Sequence, residues 1–248
     1  MNPYVVIDIG GTSIKYGLAD AEGQLLETHE MPTEAQKGGP HILKTTKEIV
    51  ARYLEKHPLA GVAISSAGMV DPDKGEIFYA GPQIPNYAGT QFKKEIEETF
   101  QIPCEIENDV NCAGLAEVTT GHAKGSNNAV CLTIGTGIGG CLLLDGQVFH
   151  GFSNSACEVG YLHLPDGAFQ DLASTTALVE YVAEHHGDPV EQWNGRRIFK
   201  QATEGDKICM AGIDRMVAYL GKGLANIAYV VNPEVIVLGG GIMAQEAI

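Results

Sequence analysis

The pattern of hydrophobic and polar positions predicts a chain that begins with three strands and then alternates helices with strands. Residues 4–9 (YVVIDI) form an apolar run that ends at two glycines, as a buried strand does. Residues 14–19 alternate with period two, and residues 24–30 can pair back beyond a turn. The spacing then predicts helices over 41–55, 90–100 and 110–119 and strands over 59–65 and 102–106. The order of this part is therefore βββαβαβα.

A second unit is predicted from about residue 128, and it also begins with strands. Two apolar runs, 129–134 and 140–144, flank a glycine-rich segment, and an apolar strand over 235–238 ends in three glycines. Helical patterns lie between them over 175–185, 195–203 and 209–231. The segment 125–128 (GSNN) is the best candidate for a hinge. We therefore predict an N-terminal domain of residues 1–125 and a C-terminal domain of residues 126–248.

Composition and charge narrow the classes of partner. Hydrophobic residues make up 44% of the chain, which is enough for a folded core. Lys and Arg total 16 against 31 Asp and Glu, and the net charge of −15 disfavours nucleic acids and anionic membrane surfaces. No apolar run approaches the roughly 20 residues that cross a bilayer, and the first residues lack the basic region of a secretory signal. We therefore expect a cytoplasmic protein without nucleic-acid or membrane partners.

Cysteine and histidine show no pattern of metal ligands in the sequence. The six cysteines contain no CxxC pair, and several lie in apolar strands, where cysteine behaves as a small hydrophobic residue. We expect structural thiols. The histidines at positions 29, 41, 57, 122, 150, 185 and 186 have no ligand spacing and are expected to be surface or packing residues.

Glycine is abundant and clustered, with 31 glycines in 248 residues. In residues 8–15 (DIGGTSIK) two glycines allow backbone amides to approach phosphate oxygens, and a hydroxyl and an ammonium group stand beside them. Asp8, at the end of the strand, can hold Mg²⁺ through water. Taken alone, the segment is more typical of an ordinary Gly-Gly hairpin with an exposed lysine. The residues of this candidate phosphate loop are Asp8, Gly10, Gly11, Thr12 and Lys15.

Two further glycine-rich segments follow strands and repeat this chemistry. They contain Gly135, Thr136 and Gly137 in the first case and Gly239, Gly240 and Gly241 in the second. A dinucleotide-binding loop leads from a strand into a helix, whereas the first two loops of this chain join strands to strands. No GxxxxGK[ST] motif occurs either, so the sequence is not that of a P-loop protein.

This ordered set of motifs resembles the actin/Hsp70/sugar-kinase superfamily and, within it, the ROK family of repressors and sugar kinases. The resemblance covers essentially the whole chain and rests on DIGGT at 8–12, ENDVN at 107–111, GTGIGG at 135–140, EVG at 158–160 and GGG at 239–241. Residues 75–87 resemble zinc-free bacterial N-acetylmannosamine kinases in particular. The resemblance implies an α/β fold of two RNase H-like, actin-like ATPase lobes with a cleft between them for ATP and a sugar.

The resemblance also implies roles for individual residues. Asp109 corresponds to the catalytic base, which accepts the proton of the sugar hydroxyl as its oxygen attacks the γ-phosphorus of ATP. From the residues alone, Asn108 or Asp109 is equally suited to cap the helix that begins at Val110. The glycine-rich loops correspond to the ATP site. The positions implied to contact the sugar are Gly68, Asn86, Asn108, Asp109, Glu158, Tyr161 and Gln170.

The sequence departs from the family pattern in three ways. Tyr161 stands where most members have a histidine followed by a zinc-binding cysteine cluster, and Cys157 and His163 are too few for a four-ligand site, so no zinc is expected. Gln170 replaces a sugar-contacting glutamate, so we expect the C1/C2 side of the sugar to be read differently. The chain ends soon after the third glycine-rich loop, so the C-terminal part of the second lobe is expected to be missing.

The leading hypothesis is an ATP- and Mg²⁺-dependent kinase for the 6-hydroxyl of a hexose or hexosamine. N-acetylmannosamine is the first choice of substrate, and glucose or a β-glucoside is the alternative. A repressor is disfavoured because no helix-turn-helix pattern precedes the first strand and the net charge is −15. A catalytically inactive sugar-binding regulatory protein remains an alternative. The resemblance further suggests a homodimer.

Overall fold

The structure is a computed structural model that describes residues 2–245. The chain divides into two compact units, Met1–Cys112 and Ala113–Ile248. This division falls inside the helix Asp109–Thr119, upstream of the segment 125–128 that the sequence marks as a hinge. The domain boundary at residues 125 and 126 therefore stays a prediction.

The first unit is a five-stranded sheet with helices packed on it. Its elements, in chain order, are β1 Tyr4–Ile9, β2 Ser13–Ala19, β3 Leu25–Pro32, α1 Gly39–Leu54, β4 Gly61–Ser66, β5 Met69–Asp71, β6 Glu76–Tyr79, α2 Phe92–Phe100, β7 Cys104–Asn108 and α3 Asp109–Thr119. The strands β1, β2 and β3 form an antiparallel meander, whereas β4 and β7 continue the sheet in parallel, so that the order is β3-β2-β1-β4-β7.

The core of the first unit lies between this sheet and helices α1 and α2. Ile42, Ile49 and Val50 bury the apolar face of α1, and Phe92 and Ile96 bury that of α2. These positions recur at helical spacing, so both helices form because one face is removed from water. The packing therefore holds the carboxyl ends of β1, β4 and β7 side by side at one edge of the sheet.

The second unit is a smaller sheet covered by a group of helices. Its elements, in chain order, are β8 Ala129–Ile134, β9 Ile138–Leu144, β10 Gln147–Val148, β11 His163–Leu164, β12 Gly167–Ala168, α4 Phe169–Ala173, α5 Thr175–His186, α6 Gly195–Thr203, α7 Lys207–Val231 and β13 Val235–Gly239. Strand β8 pairs antiparallel with β9 and parallel with β13, and β9 pairs with β10, so that the order is β10-β9-β8-β13. Short 3₁₀ turns cover Ala35–Lys37, Val159–Tyr161, Val190–Gln192 and Gly241–Ala244.

The long helix α7 anchors the second core. The ring of Phe169 lies so close to Gly223 that a Cβ at that glycine would collide with it. Phe169 is fully buried, and Met216 and Leu220 of α7 are nearly so. Because Phe169 opens α4, this contact fixes the short helix that carries Gln170.

The two sheets have the same arrangement of strands, and the sequence pattern predicts most, but not all, of the elements. Each sheet contains an antiparallel meander whose first strand is joined in parallel by a later strand. The strands and helices predicted from periodicity are confirmed, with ends that differ by a few residues. The predicted pattern lacks the hairpin β5–β6, the short strands β10, β11 and β12, and helix α4, since these elements are too short to show a period.

No helix within residues 2–245 has the length and hydropathy to cross a membrane.

Candidate active site

The first glycine-rich loop joins β1 to β2 and is held by two hydrogen bonds from Thr33, which follows β3. The Gly10 amide donates to Ser13 O at 3.0 Å and closes the turn. Buried Thr33 donates its hydroxyl to Gly10 O at 2.6 Å and its amide to Thr12 O at 3.0 Å. Within the part of the chain that the structure describes, the amides of Gly11 and Thr12 donate no hydrogen bond, so they remain available to an anion. Thr33 was not singled out from the sequence.

Asp8 lies at the end of β1, between Lys15 of β2 and Ser65 of β4 in the pairing of the sheet. The Ser65 hydroxyl donates a hydrogen bond of 2.8 Å to Asp8 Oδ1. An ionised carboxylate has about four lone-pair sites, so Asp8 keeps acceptor capacity for the waters around a cation. The structure thus brings Asp8, Lys15 and the first glycine-rich loop together at one edge of the sheet.

The Asn108 side chain caps helix α3 and holds the neighbouring carboxylate. Its Oδ1 accepts hydrogen bonds from the amides of Val110 (2.9 Å) and Asn111 (3.2 Å). Its Nδ2 donates to Gly68 O and to Asp109 Oδ1, both at 2.9 Å. The capping interpretation therefore holds for Asn108. Because both amide hydrogens and the oxygen are engaged, a sugar hydroxyl could bind Asn108 only by displacing one of these partners.

Asp109 is the first residue of α3 and combines an exposed position with a perturbed carboxyl group. Desolvation by the surrounding protein raises the pKa of Asp109 above its usual range, and the negative charge of Asp8 raises it further. Hydrogen bonds from the Val110 amide and the Asn108 side chain oppose this shift without cancelling it. A carboxylate whose pKa is displaced towards neutrality is a stronger base than an ordinary aspartate.

The other two predicted sugar-contact positions of the first unit are Gly68 and Asn86, and both lie on turns. Gly68 has φ +94° and presents its carbonyl to Asn108. Asn86 has φ +52° and is exposed, and the next residue, Tyr87, is buried with its hydroxyl 2.7 Å from Ser66 Oγ. Ser66 pairs with Asn108 across β4 and β7, so the Tyr87 contact ties the Asn86 turn to the end of the same strands. The sequence pattern did not point to Tyr87 or Ser66.

In the second unit, Gln170 packs against the second glycine-rich loop. A Cβ added at Gly137 or at Gly160 would lie 2.8 or 2.9 Å from Gln170 Oε1. The amide therefore joins the loop to the EVG motif. Glu158 is exposed at the start of the Val159–Tyr161 turn, and Tyr161 exposes 66% of its surface. Gln170 is thus held between the two glycine segments.

A pocket of about 680 Å³ opens beside the same loop in the second unit. Its volume falls within the about 300–1,000 Å³ typical of small-molecule sites. It brings together parts of the second and third glycine-rich loops with the first turns of α5 and α6. The lining residues are Ile134, Gly135, Thr136, Thr175, Thr176, Val179, Val190, Trp193, Asn194, Gly195, Arg196, Gly241, Ile242 and Gln245.

The starts of two helices and one arginine line this pocket. Thr175 begins α5 and donates its amide to Gly135 O at 2.9 Å, and Ser174 Oγ caps the helix through the Ala177 amide. Asn194 caps α6, and Arg196 in its first turn adds a positive charge at the lining. Amide groups at a helix N-terminus and a guanidinium group both favour phosphate. The sequence pattern located the helices but not their role in the pocket.

The third glycine-rich loop packs directly against β8. Gly239 pairs with Thr133 at the end of β13. Gly240 has φ +101°, and a Cβ there would collide with the carbonyl oxygen of Ile134, so the position requires glycine. Gly241 has open space around its Cβ position and lines the pocket. The second and third predicted loops are therefore brought together, with Gly137, Gly239 and Gly240 serving the backbone path rather than the lining.

Comparison with known proteins gives one consistent family. Residues 4–248 match the family model described as ROK family. An uncharacterized protein of Clostridium perfringens is 49% identical over 248 residues, which are 100% of this chain and 84% of that protein. The beta-glucoside kinase of Klebsiella pneumoniae is 33% identical, over 96% of this chain and 81% of its own length.

Solved structures agree with these sequence relatives. A candidate N-acetylmannosamine kinase of Listeria monocytogenes superposes with a TM-score of 0.89 at 30% identity, covering 98% of this chain and 84% of that chain. A ROK family glucokinase of Streptomyces griseus, in complex with glucose and AMPPNP, superposes with a TM-score of 0.80 at 28% identity, covering 97% of this chain and 83% of that chain. The α/β fold inferred from the motifs is confirmed by these matches.

Proposed function

The chain belongs to the ROK family, and we propose that it transfers the γ-phosphoryl group of ATP to the 6-hydroxyl of a hexose or hexosamine. The observation that carries this proposal is the carboxylate of Asp109, held by Asn108 at the start of α3 with its pKa raised. A kinase needs a base at the acceptor hydroxyl and donors for phosphate. The first unit supplies the base beside the Gly10–Gly11 loop.

The proposed reaction moves one proton and one phosphoryl group. Asp109 accepts the proton of the sugar hydroxyl, the freed oxygen bonds to the γ-phosphorus, and the bond to the bridging oxygen breaks to release ADP. Asn108 acts as a positioning residue, because its amide fixes the orientation of the Asp109 carboxylate. The raised pKa of Asp109 helps the transfer, since a base is most effective when its pKa approaches the working pH.

Magnesium fits the residues of the first unit. Asp8 is the residue that would hold the ion through water, because within the described part of the chain only its Oδ1 accepts a hydrogen bond, from Ser65. When bound with ATP, the ion neutralises phosphate charge as the phosphoryl group leaves. Lys15 pairs with Asp8 across β1 and β2. Its ammonium group adds a positive charge, like that of the magnesium ion, at this edge of the sheet.

We assign ATP to the pocket of the second unit as well as to the phosphate loops. The pocket has an apolar wall that includes Val179 and Trp193 and a polar end that includes Thr136 and Arg196. An apolar wall suits a base, and amide or guanidinium donors suit phosphates. The similar glucokinase of Streptomyces griseus was solved with the ATP analogue AMPPNP, and this supports the proposal that the present chain also binds ATP.

N-acetylmannosamine is the proposed first substrate. Gln170 Oε1 lies against Gly137 and Gly160, and Nε2 is the donor group of this amide. An amide or a phenol such as that of Tyr161 can donate to the carbonyl of an acetamido group, whereas an ionised glutamate only accepts. The Listeria monocytogenes match supports this choice, and the Klebsiella pneumoniae match supports a β-glucoside as the alternative.

Homodimer formation and a cytoplasmic location stay predictions.

A sugar panel tests the proposal. Purified protein is assayed with MgATP and N-acetylmannosamine, N-acetylglucosamine, glucose or a β-glucoside, with EDTA as the blank, and ³¹P NMR identifies the phosphorylated position. We expect ATP-dependent 6-phosphorylation, fastest for N-acetylmannosamine. A tenfold preference for glucose, about 1.4 kcal/mol of transition-state binding, overturns the substrate but not the kinase. Sugar binding without turnover of any sugar overturns the kinase and leaves a regulatory sugar-binding protein.

A further inference from the structure

Three side chains with metal-binding atoms meet where α5 ends and α7 begins. They are His186, in the last turn of α5, Asp206, immediately before α7, and Cys209, in the first turn of α7. One ligand atom from each lies within 4.8 Å of the other two. Ligands of a tetrahedral zinc ion at about 2.0–2.3 Å stand roughly 3.3–3.8 Å apart. A small side-chain movement is therefore enough to bring the three atoms to coordination distances.

The imidazole has a buried nitrogen without a hydrogen bond. Among residues 2–245, His186 Nε2 has no hydrogen-bond partner and is shielded from solvent, although the side chain as a whole remains 23% exposed. Asp206 Oδ2 lies 3.2 Å from this nitrogen, within ion-pair distance, but the two atoms form no hydrogen bond. Burying an unpaired polar atom costs free energy. His186 Nε2 therefore keeps hydrogen-bonding capacity that is not used, next to the carboxylate of Asp206.

The other two ligands are held in place by the cap of α7. Asp206 Oδ1 accepts the amide of Cys209 at 2.8 Å, so this oxygen fixes the carboxylate and leaves Oδ2 on the side of His186. The Cys209 thiol is fully buried at the same helix end. Neither ligand has to be ordered from a disordered loop, because the capping bond already fixes both. Asp206 is 21% exposed, which leaves a path for an ion and one water.

We propose that His186, Asp206 and Cys209 form a binding site for a divalent metal ion of the zinc class, with water as the fourth ligand. Imidazole nitrogen, thiolate sulfur and carboxylate oxygen are the three ligand types that Zn²⁺ accepts. The ion binds the thiolate, and the thiol proton passes to solvent. The ligands lie apart in sequence from Cys157, His163 and Tyr161, where the zinc cluster of other ROK proteins was expected to be missing. Spacing alone had assigned His186 to the surface or the core.

The sole tryptophan of the chain reports on this site. The rings of His186 and Trp193 stack with centroids 4.7 Å apart, and Trp193 also lines the pocket of the second unit. An ion on His186 changes the charge and position of the ring that touches the indole. Tryptophan fluorescence therefore reads occupancy without any measurement of activity.

The test uses the full chain, reduced, stripped with EDTA and transferred to chelator-free buffer. Titration with Co²⁺ monitors the sulfur-to-cobalt charge-transfer absorption, and titration with Zn²⁺ monitors tryptophan fluorescence and competes the cobalt away. The variants are Cys209→Ser and His186→Gln. Their controls are Cys131→Ala, a buried cysteine of β8, and His185→Gln, the neighbouring histidine of α5. Circular dichroism in EDTA checks that each variant is folded.

We expect one Co²⁺ per chain with sulfur charge transfer in the parent protein and both controls. Cys209→Ser should abolish the charge-transfer band, and His186→Gln should abolish the fluorescence response and weaken Co²⁺ binding more than about tenfold, since loss of even an outer-shell partner costs about 10–100-fold. Absence of the band in the parent protein overturns the proposal. So does a band that survives Cys209→Ser or an unchanged affinity in folded His186→Gln.

Discussion

Asn108 Nδ2 donates a hydrogen bond of 2.9 Å to Asp109 Oδ1. The same side chain accepts the amides of Val110 and Asn111 and so caps α3. Capping and catalysis compete as explanations for the sequence Asn-Asp, and the structure assigns the capping to Asn108. Asn108 caps the N-terminus of α3 and orients the Asp109 carboxylate, whose Oδ1 accepts both hydrogen bonds, so that Oδ2 is the oxygen for the proposed contact with a substrate hydroxyl.

Substitution at Asn108 separates these two roles. Serine is a good N-cap but lacks the second donor, so Asn108→Ser should keep most of the stability and lower kcat, whereas Asn108→Ala should also lose about 0.5–2 kcal/mol of stability. Loss of the Asn108 bond raises the pKa of Asp109 further, because that bond favours the charged form. The acid limb of the kcat profile should therefore move to higher pH in Asn108→Ser. A lower kcat with an unmoved limb would limit Asn108 to a structural role.

The charge of Asp8 should be visible in the pH dependence of the reaction. Asp109 acts as a base only when ionised, so kcat/KM for the sugar should rise with pH through its raised pKa. Asp8→Asn removes a negative neighbour and should move this limb to lower pH, measured at saturating MgATP. Asp73→Asn, on an exposed turn of the same unit, is the matched control. A limb that stays in place in Asp8→Asn would mean that the two carboxylates do not interact.

Gly240 and Gly241 form a matched pair for the third glycine-rich loop. Gly240→Ala forces a Cβ against the Ile134 carbonyl at φ +101° and should cost about 1–3 kcal/mol of stability together with nucleotide binding. Gly241→Ala meets no atom within 4 Å and should leave stability nearly unchanged. Denaturant unfolding and ATP titration of the two variants check this. Equal stabilities would show that the loop does not pack on β8 as described.

Restoring the glutamate of the family pattern should change the preference among sugars. An ionised carboxylate only accepts hydrogen bonds, so Gln170→Glu removes the donor proposed for the carbonyl of the acetamido group. We expect kcat/KM for N-acetylmannosamine to fall at least several-fold relative to that for glucose. Gln147→Glu, exposed on β10, adds the same charge at another place in the second unit and serves as the control. An unchanged ratio of the two kcat/KM values in Gln170→Glu would separate Gln170 from the sugar.

The elements that sequence pattern predicts well are those with a period or a special backbone. Strands β1, β2 and β8, helix α5 and the glycine-rich loops follow from alternation, helical spacing and glycine clusters. The carboxylate at Asp109 also follows, since a polar residue after a buried strand marks an edge of the sheet.

What the pattern does not predict depends on contacts between distant parts of the chain. Thr33 fastens the first glycine-rich loop from beyond β3, and Trp193 reaches the pocket from a segment without a clear period. The cluster at Asp206 forms because α7 begins beside the end of α5. Ligand spacing in one segment reveals a metal site only when its ligands are neighbours in sequence, and here they are not.

Asp109→Asn should also change stability, with a sign opposite to its effect on activity. A carboxyl group whose pKa is higher in the folded state than in the unfolded state binds more protons when folded, so the free energy of unfolding falls as pH rises between the two values. At neutral pH the Asp109 carboxyl group is ionised in both states, so the parent protein is destabilised by the full amount. The neutral amide should therefore raise the thermal midpoint at neutral pH, and the difference should shrink in acid.

The most direct test of the proposed kinase is the turnover of Asp109→Asn together with its sugar affinity. A general base contributes about 10²–10⁴ in rate, or roughly 3–5 kcal/mol of barrier. We predict a loss of kcat in this range with sugar binding, measured by calorimetry, still present, while Asp73→Asn behaves as the parent protein. Near-normal turnover by folded Asp109→Asn would contradict the assignment of Asp109 as the base.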